Sequence, residues 1–318
     1  MVTVGVDLGG TNVYAVVLDG DQVRGRAKLR TPVTGDRGDV VAVIGAAIKD
    51  AIAASEGVKD KHVTAVGIGT PGVVIEGTVG GAANVPGFVE RFSITQEVGE
   101  VSGYPVHVTN DVTAAAIGEH RLGAGQGVDH LLAVFVGTGV GGGLILHGQP
   151  YEGGSGGAGE FGHMVVRQGG ATAPGSPRGS VEAYAGRRAM ELAAQRARTA
   201  GTPTILFDVM EEKGKARVTS GVLKEAFDRG DLLVADLMDD AIEALGAGIA
   251  SAVNLLDVDR VVLGGGLADK FGPRFRARVD AAMRPNLFLF PPRVELVGAA
   301  LGDEGGAIGA ALLAAEGV

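Results

Sequence analysis

The chain has 318 residues, of which 46% are hydrophobic and 20% charged, so it is long enough for two domains with their own cores. Its 28 basic and 37 acidic residues give a formal net charge of −9, and no basic run is present, which disfavours a nucleic-acid surface. The absence of cysteine excludes disulfides and thiolate metal sites.

The first part of the chain predicts an antiparallel meander followed by helices and strands. Strand-like runs at Val2 to Leu8, Val13 to Leu18 and Gln22 to Leu29 are joined by glycine turns. The next predicted elements are a helix at Asp39 to Ser55, a strand at Val63 to Ile68, a short β unit at Val73 to Val79, a helix from Ser93 to near Gly103, a strand at Val106 to Thr109 and a helix at Val112 to Leu122.

The second part repeats the first in outline, because Leu131 to Val136 is again a strand followed by a glycine turn and another apolar run. This repetition predicts two related lobes with mixed α/β sheets and a cleft between them. Residues 202–219 have no clear pattern. The later elements are helices at Val181 to Thr199, Ser220 to Asp228, Asp231 to Leu256, Pro273 to Met283 and Glu304 to Ala315, with strands at Arg260 to Leu263 and Val294 to Val297.

The N-terminal residues already read as a strand and lack the basic and apolar regions of a secretory signal. The longest nearly uncharged stretch, Ala244 to Leu256, is shorter than the roughly 20 residues that cross a bilayer. We therefore expect a cytoplasmic protein without a membrane partner.

A glycine cluster at Gly137 to Gly143 lies between two apolar runs. Glycine lets main-chain N–H groups approach phosphate oxygens closely, so the cluster predicts a phosphate loop, although a flexible linker is the alternative. Its match to the dinucleotide fingerprint is weak, because the apolar run Leu144 to Leu146 follows where that fingerprint needs a helix. Gly214-Lys215 is followed by Ala216, so no Walker A loop is present.

A polar pair, Asn110-Asp111, follows the strand at Val106 to Thr109. The carboxyl ends of strands in open α/β sheets hold ligand groups, so Asp111 is a candidate general base. The alternative is that Asp111 only caps the helix that begins at Val112.

Seven segments together resemble the ROK family of sugar kinases, and within it bacterial ATP-dependent glucokinases, over roughly Val4 to Leu313. The resemblance implies the two-lobed actin-like, ribonuclease-H-like ATPase fold. It divides the chain into a small lobe of residues 1–110, joined by a C-terminal helix at 304–318, and a large lobe of residues 111–303. The segments are Asp7-Leu8-Gly9-Gly10-Thr11-Asn12, Gly69-Thr70-Pro71-Gly72, Asn84-Val85-Pro86-Gly87, Asn110-Asp111, Gly137 to Gly143, Gly159-Glu160-Phe161-Gly162-His163 and Glu182-Ala183-Tyr184-Ala185.

The resemblance implies phosphorylation of glucose at its 6-hydroxyl by Mg-ATP, with Asp111 as general base. We expect Asp7 to face Mg²⁺ through water, because Mg²⁺ dehydrates reluctantly, and the alternative is that Asp7 only caps the turn that follows it. The sugar-binding residues implied are Gly72, Asn84, Asn110, Asp111, Glu160, His163 and Glu182. The nucleotide-binding residues implied are Asp7, Gly9, Gly10, Thr11, Asn12, Thr138, Gly139, Gly141, Gly264, Gly265 and Gly266.

The chain departs from the family where many members carry three cysteines that bind a structural zinc with the histidine of Gly-His-Met. Ala173, Gly175 and Ser180 stand at those positions and cannot ligate zinc as thiolates do. We therefore expect no zinc. Zinc would have oriented His163, so another feature has to do so, and Pro174 and Pro177 are candidates for stiffening the loop.

Several alternatives stay open. Fructose, mannose, allose or N-acetylmannosamine could replace glucose, and polyphosphate could replace ATP, because loop geometry sets the choice of hydroxyl groups. The family also implies a homodimer or homotetramer. A sugar-sensing regulator without catalysis is disfavoured, since the first strand begins at Val2 and leaves no room for the DNA-binding domain of ROK repressors.

Overall fold

The computed structural model describes residues 1–33, 35–288 and 293–317. It has the mixed α/β architecture that the sequence predicts. The strands are β1 (Val2–Leu8), β2 (Asn12–Asp19), β3 (Gln22–Arg30), β4 (Val63–Thr70), β5 (Val73–Ile75), β6 (Thr78–Gly80), β7 (Phe92–Ser93), β8 (Val106–Asn110), β9 (Leu131–Val136), β10 (Val140–Leu146), β11 (Gln149–Pro150), β12 (Arg260–Gly264) and β13 (Glu295–Gly298). The α-helices are α1 (Arg37–Ala53), α2 (Ile94–Ser102), α3 (Asp111–Leu122), α4 (Val181–Ala185), α5 (Arg187–Thr199), α6 (Leu206–Glu212), α7 (Ser220–Asp228), α8 (Leu232–Leu256), α9 (Gly266–Met283) and α10 (Gly305–Glu316).

The first sheet has the strand order β3-β2-β1-β4-β8. Its first three strands form the predicted antiparallel meander, and β1, β4 and β8 run parallel to one another. The register places Asp7 opposite Gly69 and Thr70 opposite Asn110. The carboxyl ends of the three parallel strands therefore share one edge of the sheet. Two of the predicted site residues, Asp7 and Asn110, lie at this edge.

The second sheet repeats this arrangement with the order β11-β10-β9-β12-β13. Here β9, β12 and β13 are the parallel strands. The predicted duplication is thus confirmed at the level of strand order. A third, smaller sheet joins β5, β6 and β7.

The apolar side chains of β1 and β2 are buried beneath α1, whose inward face carries Val40, Ile44 and Ile48. The other face is covered by α10, which packs on β1, β4 and α3. Main-chain atoms approach closely here, because a Cβ on Gly5 or Gly67 would overlap the main chain of α10. Glycine in these strands is therefore a packing requirement.

Two compact units divide the chain. The first comprises Met1–Asp129, Gly143–Gly159 and the residues from Ala300 onward, and the second comprises His130–Gly142 and Glu160–Ala299. Helix α3 belongs to the first unit because it packs against α10 and β4. The lobe boundary predicted after residue 110 stays a prediction, since lobes that move need not coincide with units defined by contacts.

Two predicted helices differ from the observed ones. The helix predicted at Val181 to Thr199 is interrupted at Gly186, which separates α4 from α5. The helix predicted from Pro273 begins at Gly266, with a kink at Gly272 where φ is +69°. Gly272 can adopt this angle without a Cβ clash, and Pro273 then starts a new helical segment.

Residues 202–219, which have no clear sequence pattern, contain α6. Within the described ranges, the helices are all too short or too polar to span a membrane.

Candidate active site

The pair Asn110-Asp111 lies at the junction of β8 and α3. Asn110 is the N-cap, because its side-chain Oδ1 accepts the N–H groups of Val112 (2.9 Å) and Thr113 (3.3 Å). Asp111 is the first helical residue, and one of its oxygens also accepts the Val112 N–H. Asn110 is therefore the residue that caps α3, and the carboxyl group of Asp111 at the start of the helix is partly exposed.

Asp7, at the end of β1, is held near other carboxyl groups. Its pKa is raised to about 7, mainly by burial and to a smaller extent by the nearby negative charges of Asp111 and Asp303. Its side chain lies against α10, because a Cβ on Gly306 would come within 2.9 Å of Asp7 Cγ. Burial and the neighbouring negative charges therefore favour the protonated form of Asp7, or a cation beside it.

The turn between β1 and β2 carries the predicted phosphate contacts of the first unit. It is closed by hydrogen bonds from Gly9 N to Asn12 O (2.9 Å) and from Thr31 Oγ1 to Gly9 O (2.6 Å). Asn84 packs against this turn, since a Cβ on Gly10 would lie 3.1 Å from Asn84 Nδ2. Thr11 is exposed and Asn12 is partly exposed.

Gly72 also joins the candidate sugar-binding group of the first unit. Asn110 Nδ2 donates to Gly72 O over 3.3 Å, so the side chain that caps α3 also holds the Gly72 main chain. Gly72 has φ of +95°, and a Cβ there would clash with Gly80 O. Its conformation and its surroundings both require glycine.

In the second unit, the glycine turn is shorter than the predicted phosphate loop. Strand β10 begins at Val140, so only Gly137, Thr138 and Gly139 form the turn, and Gly141 to Gly143 belong to the strand. Gly137 N donates to Gly139 O over 2.9 Å, which closes the turn. Thr138 is its most exposed residue.

Glu182 lies directly against this turn. Its Oε2 accepts the Val140 N–H (2.9 Å), and a Cβ on Gly139 would overlap the same oxygen. Thus Gly139, predicted to bind nucleotide, and Glu182, predicted to bind sugar, are in contact. The sequence could not indicate this contact, because 42 residues separate Val140 from Glu182.

Glu160 precedes the 3₁₀ turn Phe161–His163, and His163 is the last residue of that turn. His163 Nε2 lies 3.8 Å from Glu160 Oε2, and both side chains are at least partly exposed. The turn rests on β10, because Gly162 approaches Val140 O so closely that no side chain could fit. The second unit therefore brings Glu160, His163, Glu182 and the glycine turn to one region.

Gly264-Gly265-Gly266 connects β12 to α9. Gly264 ends the strand, Gly265 has φ of +89°, and Gly266 is the exposed first residue of the helix. A Cβ on Gly265 would clash with the main chain of Val136, the residue before the glycine turn at Gly137. The two glycine turns of the second unit are therefore neighbours.

Hydrogen bonds close the loop that contains Ala173, Gly175 and Ser180, for which we expect no zinc. Ser176 Oγ and Ser180 Oγ are 2.8 Å apart, Arg178 Nε donates to Gly170 O (2.8 Å), and Ala171 N donates to Tyr184 Oη (2.9 Å). Ser180 also caps α4 by accepting the Ala183 N–H. No group of three or more His, Cys, Asp or Glu side chains that could hold a metal ion occurs in the described part of the chain.

The structure distributes the predicted site residues over the two units. Asp7, the Gly9 to Asn12 turn, Gly72, Asn84, Asn110 and Asp111 belong to the first unit, and Glu160, His163, Glu182, the Gly137 turn and Gly264 to Gly266 belong to the second. The sequence analysis did not predict three residues that lie near these positions, Asp303, Glu152 and Arg187. Glu152 accepts a 2.6 Å hydrogen bond from buried Thr109, the residue before Asn110. A single acidic residue in a glycine-rich loop gives no sequence signal for this contact.

Two mixed sheets of identical strand order, each with glycine turns at the ends of its strands, are the two-lobed actin-like ATPase fold. The ROK family model matches residues 3–317. The chain therefore belongs to the ROK family of sugar kinases.

Individual relatives cover nearly the whole chain. A glucokinase from Streptomyces coelicolor is 32% identical, with 99% of this chain and 98% of that protein covered. An N-acetylmannosamine kinase from Haemophilus influenzae is 27% identical, with 96% of this chain and 93% of that protein covered. A solved ROK family glucokinase from Streptomyces griseus, in complex with glucose and AMPPNP, is 32% identical with a TM-score of 0.82, and covers 99% of this chain and 100% of that chain.

Proposed function

We propose that this protein transfers the γ-phosphoryl group of Mg-ATP to the 6-hydroxyl of glucose. The observation that carries the proposal is the position of Asp111 at the end of β8, next to an Asn110 that already caps α3. A partly exposed carboxylate at this position can take the hydroxyl proton as the phosphoryl group is transferred. The similarity to two glucokinases supports glucose as the sugar.

The residues around Asp7 fit a magnesium ion. Mg²⁺ prefers oxygen ligands, keeps several waters and binds through one or two carboxylates together with phosphates, so a closed protein cage is not required. Asp7 would hold it, through water, with the charges of Asp111 and Asp303 nearby. When bound, Mg²⁺ neutralises charge on the phosphates.

The remaining residues bind and orient the two substrates. Phosphoryl transfer depends mainly on positioning and on electrostatic stabilisation, so hydrogen-bonding groups around the sugar ring are as important as the base. Asn110, Glu160, His163 and Glu182 supply amide, carboxylate and imidazole partners for hydroxyl groups. The two glycine turns and the Gly9 to Asn12 turn supply main-chain N–H groups for the nucleotide.

Substitution of Asp111 by Asn tests the proposal. This change keeps the shape and removes the base, so kcat should fall by about 10²- to 10⁴-fold, with the KM for glucose changed only a few fold. A coupled assay for ADP formation measures both constants. Full activity of Asp111→Asn would rule out Asp111 as the base.

A second candidate is kinase activity toward another hexose, and the similarity to an N-acetylmannosamine kinase favours including that sugar. Glucose, mannose, fructose, allose and N-acetylmannosamine should be compared at fixed ATP by kcat/KM. We expect glucose to rank first. A higher kcat/KM for another sugar would move the assignment to that substrate and leave the transfer chemistry unchanged.

A further inference from the structure

Arg187 contacts the glycine turn of the second unit. It is the first residue of α5, directly after Gly186. Its Nη2 donates to Thr138 Oγ1 over 2.7 Å, and its main-chain N–H donates to Gly137 O over 3.2 Å. The guanidinium group is therefore attached to the most exposed residue of the turn.

The same guanidinium group also reaches the neighbourhood of the triple glycine. Arg187 Nη1 donates to the Oγ of Ser220 over a long 3.4 Å, and Ser220 is the first residue of α7. Ser220 Oγ in turn lies 3.6 Å from where a Cβ on Gly266 would be. Arg187 thus lies between the two turns of the second unit that carry the candidate nucleotide contacts.

The charge of Arg187 lacks a close carboxylate partner. Within the described ranges it forms no ion pair at 4.0 Å or less, and its two side-chain acceptors are neutral hydroxyls. Burial lowers the pKa of its guanidinium, and Glu191 one turn along α5 offsets this only in part. A partly buried cation without a counter-charge is unfavourable, and a bound anion would relieve the cost.

We propose that Arg187 binds a phosphate group of the nucleotide and is a further substrate-binding residue of the second unit. The proposal rests on the proposed function, since it assumes that the two glycine turns hold a nucleotide. The planar guanidinium presents five N–H donors in a fork that matches phosphate oxygens, and Thr138 and Ser220 occupy only part of that fork. ATP and inorganic polyphosphate share this phosphate chemistry.

Equilibrium binding tests the proposal without turnover. Wild-type protein, Arg187→Gln, Arg187→Lys and Arg274→Gln should be titrated calorimetrically with ATP in Mg²⁺ and with adenosine. We expect Arg187→Gln to weaken ATP about 10- to 100-fold and adenosine less than twofold, with Arg187→Lys in between, because a charge-assisted hydrogen bond is lost. Arg274 is exposed on α9, so its substitution removes the same charge and should change neither affinity.

Two outcomes would overturn the proposal: Arg187→Gln and Arg187→Lys that bind ATP within twofold of the wild type, or variants that lose ATP and adenosine affinity equally, as a distorted turn would. A titration with polyphosphate separates the donors, and Arg187-dependent binding of either one supports a phosphate site. A wild type that binds ATP through Arg187 but phosphorylates no hexose would contradict the proposed function alone.

Discussion

Glu182 connects two groups of residues that have different predicted roles. Its carboxylate is expected to accept a hydrogen bond from a sugar hydroxyl. One of its oxygens already accepts a hydrogen bond from the Val140 N–H beside the glycine turn. A side chain with both partners couples the position of the sugar to the position of the turn. Loss of its carboxylate should therefore disturb both substrates.

We predict that Glu182→Ala raises the KM for glucose and the KM for Mg-ATP, each by roughly 10-fold. The sugar would lose about one hydrogen bond, and the glycine turn would lose the hydrogen bond that supports it. Steady-state kinetics with both substrates varied measures the two constants. Glu160→Ala is the matched control, since Glu160 is exposed and should affect the sugar alone. An unchanged KM for Mg-ATP in Glu182→Ala would show that the contact with Val140 does not matter for the nucleotide.

Asp7 predicts a pH dependence of the ligand-free protein. Its pKa is about 7 in the folded protein against 3.8 ordinarily, so the unfolded chain releases this proton at lower pH than the folded protein does. The free energy of unfolding should therefore decrease as pH rises from about 4 to about 7 and should not change further through Asp7 above that range.

Denaturant unfolding of wild type and Asp7→Asn at pH 5 and pH 8 measures this effect. From pH 5 to pH 8, the free energy of unfolding of Asp7→Asn should increase relative to that of the wild type by roughly 1 to 3 kcal/mol. A difference that stays constant with pH would mean that Asp7 is ionised in the folded protein throughout.

At the scale of elements, helices α3 and α10 pack closely against each other at glycine residues. A Cβ on Gly309 of α10 would overlap Ala114 O of α3, and one on Gly118 of α3 would overlap the main chain of Gly305. The helices can approach this closely only because both positions lack side chains. This contact also brings α10 next to Asp7, through Gly306.

We predict that Gly309→Ala destabilises the protein by roughly 1 to 3 kcal/mol, because the added methyl group forces the two helices apart. Gly154→Ala is the matched control, since a Cβ there would meet open space. Thermal unfolding of both variants makes the comparison. Equal melting temperatures would contradict the close helix contact.

The sequence predicted most elements of the fold, because their hydrophobic periodicity and turn residues agree with their environment in the structure. The misplaced boundaries have local causes. Gly186 is not a strong enough signal to end α4, yet its main chain lies beside Glu182 and Gly139, where no side chain fits. Likewise, Gly141 to Gly143 read as a loop by composition, but strand pairing places them in β10.

Candidate site residues were predictable only where a motif carried them. Asp7, Asn110 and Asp111 each lie at or just after the carboxyl end of an apolar strand, which is a recognisable position. Arg187 and Glu152 were not predicted, because their contacts are with residues far away in the sequence, Thr138 and Thr109. Contacts between distant segments cannot be read from spacing along one chain.

For the whole molecule, the cysteine-free composition predicts stability that does not depend on zinc. The hydrogen bonds of Ser176, Ser180 and Tyr184 already close the loop in which the family resemblance would place a zinc site. We expect less than 0.1 zinc per chain, on the order of trace contamination, and a melting temperature unchanged by EDTA. Stoichiometric zinc in elemental analysis, or a lower melting temperature with EDTA, would contradict this prediction.

The close packing of α10 on β1 and β4 has a consequence for biosynthesis. These strands emerge from the ribosome early, whereas the helix that covers them is translated only after the entire second unit. During that interval the nascent sheet exposes an apolar surface, which is the situation in which chaperones bind growing polypeptides. The second unit can thus acquire its structure before the first is complete, although it comes later in the chain.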